Sequence, residues 1–189
     1  MRIAYWDIET SDLNAEHGRM ICASVLSLPS GRMHTKRLDT MVRSPNYEAR
    51  DMTDDRELCV WLRDILEDHH LTSGWYSKGF DIPFLQSRLM FHGEKLLGKH
   101  LHLDGIWYCK GWRGIKAQSG KLMHVARSLG IKERKLVVDP DTWQKAIVGN
   151  KAAMDIIQER CESDVRLTRE VTERILDAKQ LVRNIQSYP

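Results

Sequence analysis

Ile3-Ala4-Tyr5-Trp6-Asp7-Ile8-Glu9-Thr10-Ser11-Asp12-Leu13 decides how the chain is read. Residues 2–8 are apolar and β-prone and predict a first strand. Side chains alternate along a strand, so Asp7 and Glu9 point to one face and Ala4, Trp6 and Ile8 to the other. Two carboxylates aimed at one place from a buried strand repel each other and lose hydration. The arrangement persists where one is protonated or a cation neutralises both. A hard divalent ion, which takes oxygen ligands, meets that need. The ordinary alternative is a strand that stops short and leaves one of the acids in solvent.

Outward from this segment, residues 20–28 (MICASVLSL) predict a second strand. Pro29-Ser30-Gly31 is a turn signal, and 32–38 predicts a third strand closing an antiparallel hairpin. Residues 40–54 are polar and irregular. In 56–69, Leu58, Trp61, Leu62, Ile65 and Leu66 recur at helical spacing and make an amphipathic helix. A strand is expected over 71–76. A helix follows from Asp81 to Phe91, with Pro83 in its first turn, where proline is tolerated. Residues 101–109 are ambiguous. Leu122, Val125, Ala126 and Leu129 form another helical stripe stopped by Gly130. The pattern from Lys151 to about Lys179 is helical, with room for a break. Strands followed by helices in this order predict an α/β domain with a mixed sheet flanked by helices. No linker rich in Pro, Gly or Ser interrupts residues 1–189, so one domain is expected.

Two further acids stand out. Ala153, Ile156, Ile157, Cys161, Thr168, Val171 and Ile175 trace the inward face of the last helix, and Asp164 falls on it. A carboxylate there needs a cation, either a metal or Arg160 one turn earlier through an i, i+4 salt bridge. Asp81 sits in WYSKGFDIPFLQSRL, where an ordinary helix cap is the simple role.

Taken together, these segments resemble the DEDD superfamily of 3′–5′ exonucleases, which includes proofreading domains and RNase D-like and RNase T-like enzymes. The first motif is Asp7-Ile8-Glu9-Thr10-Ser11-Asp12-Leu13. The second is Gly79-Phe80-Asp81-Ile82-Pro83-Phe84-Leu85, with Arg88 one turn on. The third is Arg160-Cys161-Glu162-Ser163-Asp164-Val165-Arg166-Leu167-Thr168, preceded by Lys121–Ile131 (KLMHVARSLGI). The resemblance runs from residue 3 to about 172 and implies a ribonuclease H-like fold. It also implies that Asp7, Glu9, Asp81 and Asp164 hold two Mg²⁺ or Mn²⁺ ions about 3.5–4 Å apart. One ion would activate a water against the terminal phosphodiester, and the other would stabilise the leaving 3′ oxygen. By position, Thr10 would contact the 3′ end and Leu13 would pack on its base.

One position departs from the family. Its two large branches carry a Tyr four residues, or a His five residues, before the last aspartate, to orient or deprotonate the attacking water. Here those positions are Arg160 and Glu159. Arginine stays protonated and cannot act as a general base. Glu159 lies about 140° around a helix from Asp164 and reaches the site only if that helix breaks. Three readings stay open: metals that suffice alone, with Arg160 holding the phosphate; a base from elsewhere, with His124 and His102 as candidates; or a silent site that binds nucleic acid or protein without cutting. A ribonuclease H-type endonuclease is a further alternative.

Trp107, Tyr108 and Trp112 interleave with Lys110, Arg113, Lys116 and Lys121, and this segment is a candidate for stacking bases and contacting phosphates, with Arg113 and Lys116 as the substrate-binding cations. Core tryptophans with a solvated basic side are the plainer explanation. Lys132, Arg134 and Lys135 make a second basic cluster. Asp104 is read as a helix cap or a supporting hydrogen-bond partner, and His69-His70 as partners of a helix C-terminus.

The 189 residues carry a net charge of only +3, so nucleic-acid binding must come from a local patch. The hydrophobic and charged shares, 42% and 29%, are those of a globular domain. Apolar runs are too short to span a membrane. The four cysteines form no CxxC pair, and the N-terminal stretch has no signal-peptide core. Reduced thiols in a cytoplasmic protein are expected. The expected partner is single-stranded nucleic acid, met either alone or with a polymerase or replication or repair complex in trans.

Overall fold

The computed structural model describes residues 1–41, 52–109, 119–132 and 136–186, with the backbone alone for 178–186. Five strands form one mixed sheet: β1 (Ile3–Thr10), β2 (Met20–Leu28), β3 (Arg32–Arg37), β4 (Leu71–Gly74) and β5 (Leu101–Asp104), in the order β3-β2-β1-β4-β5. β1 to β3 form an antiparallel meander, in which Asp7 lies opposite Ser24 and Glu9 opposite Cys22. β4 and β5 join parallel to β1, which therefore sits in the middle of the sheet. The expected hairpin is present, turning at Gly31, whose φ of 70° is a conformation glycine adopts without penalty.

Helices cover both faces: α1 (Leu38–Met41), α2 (Arg56–Glu67), α3 (Asp81–Phe91), α4 (Leu122–Ser128), α5 (Pro140–Ile147) and α6 (Lys151–Gln186). Leu58, Leu62 and Leu66 of α2 and Phe84, Leu85 and Leu89 of α3 share the main core with Ala4, Trp6 and Ile8. The other face of β1 meets α6, where Tyr5, Leu26 and Val165 pack together and the Cys161 thiol donates to the Asp7 carbonyl at 3.4 Å. Burying apolar side chains on both faces contributes roughly 25 cal/mol per Å² removed from water. This is what holds the acid-bearing strand in place.

One expectation, the inward Ile156, is corrected, and two open readings are decided. The last helix does not break: α6 is continuous from Lys151 to Gln186. Ile156 is 40% exposed rather than inward. The ambiguous stretch 101–109 resolves into β5 and a 3-10 turn, Gly105–Tyr108. α5 was not anticipated, although its signal is legible: the Asp139 side chain accepts from the Thr142 amide at 2.9 Å, and Pro140 fills the first turn. All four cysteines are free thiols. No described helix is long and apolar enough to cross a membrane.

Candidate metal centre

β4 has only four residues, and its register with β1 ends at Ser73 opposite Tyr5. The half of β1 that carries Asp7 and Glu9 therefore projects beyond its parallel neighbour. The chain leaves β4 at Gly74, loops through Trp75–Phe80 and opens α3 at Asp81, beside the exposed edge of β1. α6 crosses the same end from the other side and brings in Asp164. The result is a cavity of about 680 Å³ beyond the carboxyl ends of the parallel strands, the usual place for a site in an open α/β sheet.

Carboxylate oxygens of Asp7, Glu9 and Asp164 lie within 4.8 Å of one another. Glu9 and Asp164 are buried, Asp7 partly so. Asp81, 5% exposed, also lines the cavity. It is the first residue of α3 and not its cap, a position held by Phe80 with no side-chain bond. Burial is the main cause that pushes the Asp81 carboxyl up to about 7. The neighbouring Glu9 and Asp104 add to the rise, while hydrogen bonds from its own amide and that of Ile8 oppose it. The pairing of β1 with β2 shifts register between Glu9 and Thr10, and Thr10 to Leu13 line the cavity.

Against these acids stands Arg160. Its Nε donates to Glu9 Oε1 at 2.7 Å and its Nη1 to the Leu136 carbonyl at 3.0 Å, with the guanidinium 5.5 Å from the centre of the Trp143 ring. Beside the i, i+4 neighbour Asp164, whose charge also acts on it, Arg160 thus has a long-range partner in Glu9. Burial would lower the arginine's pKa, but Glu9, Asp164 and Asp7 outweigh it and raise it, so the cation is fixed. One guanidinium does not neutralise three converging carboxylates with a fourth beside them. The all-oxygen donor set fits Mg²⁺ or Mn²⁺, and Asp7, Glu9 and Asp164 are the residues that would hold it, with Asp81 at the edge.

Asp7, Glu9, Thr10, Leu13, Asp81, Arg160 and Asp164, all singled out in the sequence, line this one cavity. Thr10 Oγ1 donates to the Asp12 carbonyl at 2.8 Å, and Leu13 is 83% exposed at the mouth. Arg113 and Lys116 lie outside the described residues, as do Lys110, Trp112, Arg134 and Lys135. The alternative bases are not in the cavity. Glu159 is exposed on the unbroken α6. His102 is held between Thr72 Oγ1 (2.7 Å) and Ser77 Oγ (2.8 Å), and its pKa is lowered to about 4, chiefly by burial. His124 bonds Ser119 Oγ at 2.6 Å on α4. Sequence reasoning missed Trp75, Tyr76, Trp143, Gln144 and Ile147, which complete the walls. The Asp139-Pro140 start of α5 was the signal for three of them.

Asp104 does what a supporting residue does. It accepts from the amides of Tyr76 (2.8 Å), Lys78 (2.9 Å) and Ile106 (3.2 Å), pinning the loop before α3 and capping the 3-10 turn. Arg88 is also structural, gripping Asp55.

Comparison with solved structures places this architecture beside the family B DNA polymerase of the hyperthermophilic archaeon Pyrobaculum calidifontis, at a TM-score of 0.69 and 20% identity. The match covers 93% of this chain and 24% of the polymerase chain, so the likeness is one of fold to a part of a larger protein. Among curated proteins, no sequence matches the chain. The sequence pattern of the RNase_H superfamily, however, matches residues 4–176, and with the mixed sheet, its flanking helices and the acids on the central strand already in place, the chain belongs to that superfamily.

Proposed function

We propose that the chain is a metal-dependent 3′–5′ exonuclease acting on single-stranded DNA or RNA. Membership of the RNase_H superfamily supports a nuclease in general. The observation that carries the finer reading is the convergence of Asp7, Glu9 and Asp164, with Asp81 beside them, in one cavity that Thr10 and Leu13 flank. Asp7, Glu9, Asp81 and Asp164 hold the divalent ions. Two such ions, once bound, supply an activated water and stabilise charge on the phosphate and the leaving 3′ oxygen. Arg160, with two of its five N–H donors on Glu9 and Leu136, turns toward the scissile phosphate. Leu13 packs on the terminal base, and Thr10 meets the 3′ end. Arg113 and Lys116 contact phosphates further along the strand. A polymerase or a replication or repair complex supplied in trans is the setting in which we place this activity.

A second reading has its own observation. The Arg160–Glu9 ion pair occupies a carboxylate that a metal needs, which favours a module that binds nucleic acid without cutting.

Incubating the protein with 5′-labelled single-stranded DNA and RNA in Mg²⁺, Mn²⁺ or EDTA separates the two. A metal-dependent ladder of shortening products, absent in Asp7→Ala, is the expected result. Mid-chain cuts would replace it with an endonuclease. No cleavage by wild type, with cleavage by Arg160→Tyr, would favour the silent module.

A further inference from the structure

Tyr76 is the described non-glycine residue whose backbone sits in the left-handed region, at φ 61°. For a bulky side chain this conformation is strained and persists only where the surroundings impose it. The surroundings do impose it. The buried carboxylate of Asp104 accepts from the amides of Tyr76 and Lys78, holding the backbone on both sides of Ser77. Trp75, the residue before, is locked by its indole N–H donating to the Gly120 carbonyl at 3.0 Å. A Cβ at Gly79 would overlap the Tyr76 ring, so the absence of a side chain at Gly79 is what gives the ring its seat.

The ring that this conformation delivers is not put away in the core. Tyr76 is 49% exposed and lines the same cavity as Asp7, Glu9 and Asp164. A turn here would be built at lower cost with Gly or Asn. A strained, half-exposed aromatic seated against a glycine at the wall of a carboxylate cavity has a use if something flat lies on it.

We infer that Tyr76 is a stacking platform for a nucleobase of the strand whose 3′ end enters the carboxylate cavity, which rests on the nuclease reading given above. Stacking on an aromatic face is tolerant of base identity, so the platform holds any strand at a fixed distance from the acids and favours purines, which offer the larger face. The phenol hydroxyl is not needed for this; the ring is.

The test is binding of fluorescein-labelled single-stranded oligonucleotides in Ca²⁺, with the last two 3′ nucleotides either normal or abasic. Three proteins are compared: wild type, Tyr76→Phe, which keeps the ring, and Tyr76→Asn, which tolerates the left-handed backbone and removes the ring. Wild type and Tyr76→Phe should each bind the normal strand about five- to a hundredfold more tightly than the abasic one. Tyr76→Asn should discriminate between the two strands at least about fivefold less than wild type, keeping only the preference that Leu13 supplies, with an unfolding midpoint no lower than wild type. A wild type indifferent to the abasic end, or a Tyr76→Asn that still discriminates as wild type does, overturns the platform while leaving the nuclease reading intact. Failure of wild type to bind any strand overturns both.

Discussion

Among the described residues, two clusters bring acidic side chains within metal-binding distance of one another, and they behave in opposite ways. In one, Asp55 is fully buried yet surrounded by donors: Arg88 grips its carboxylate (2.7 Å from Nη2), His92 Nε2 lies 2.7 Å away, and the Met20 amide donates at 2.7 Å. These contacts overcome burial and hold the Asp55 carboxyl below its usual range. In the other, Asp7, Glu9 and Asp164 converge beside Arg160, and neighbouring Asp81 is pushed up to about 7. Both clusters satisfy a distance criterion for a cation; among the described contacts Asp55 is met by an arginine, a histidine and an amide, whereas the second gathers three carboxylates and a raised fourth around Arg160. A carboxylate cluster balanced within the chain fastens elements together, whereas one left negative is built for something that arrives from outside.

The sharpest way to break this comparison is at Asp7. Asp7→Ala should cut nuclease activity by about a hundredfold or more, with an unfolding midpoint at or above that of wild type, because it relieves repulsion. Initial rates on labelled strands and a thermal melt check both halves. At the balanced cluster the pattern should invert. Asp55→Ala strands the buried Arg88 and should cost about 3–5 kcal/mol in a urea titration, with the activity of the remaining folded protein unchanged.

The two acids should also answer pH in opposite directions. The raised carboxyl of Asp81 in metal-free protein adds stability that is complete below about pH 4 and lost as pH rises toward about 7. Asp55, lowered below 3.8, adds stability present above its unfolded value and lost as pH falls through its folded one. Urea titrations from pH 3 to 8 in EDTA, on wild type and Asp81→Asn, separate the two limbs. An Asp81→Asn profile that keeps the neutral-pH decline would refute the assignment. The smallest effect concerns Arg160. Removing the cation that competes for Glu9 in Arg160→Gln should tighten Mg²⁺ about fivefold, the equivalent of ~1 kcal/mol, by titration calorimetry.

The sequence made the strand-borne acids legible because period two is strict: Asp7 and Glu9 had to share a face, and Ala4, Trp6 and Ile8 had to oppose them. The helical stripe placed Asp164 inward for the same kind of reason. Arg160 shows where such reasoning stops. Periodicity within a helix offers Asp164 as its partner, but it cannot show the bond to Glu9, 151 residues away, which exists because α6 lies across β1. Tyr76 was invisible for another reason. Its neighbours in sequence do not force the left-handed backbone; the carboxylate of Asp104 on β5 does. The α5 wall was written in Asp139-Pro140 and went unread, since a short helix with one buried residue, Ala146, leaves little periodicity to see.

The shortness of β4 has a consequence for how these acids change over evolutionary time. Because β4 stops at Gly74, the Ile8 amide on the open edge of β1 has no strand to donate to, and the Asp81 carboxylate takes the bond instead. Asp81 thus completes a backbone ladder as well as facing the cavity. In a descendant that abandoned chemistry, Asp7 and Asp164 would be released to drift, while Asp81 would still be held by the sheet. Its presence in a relative therefore testifies to the fold before it testifies to any chemistry.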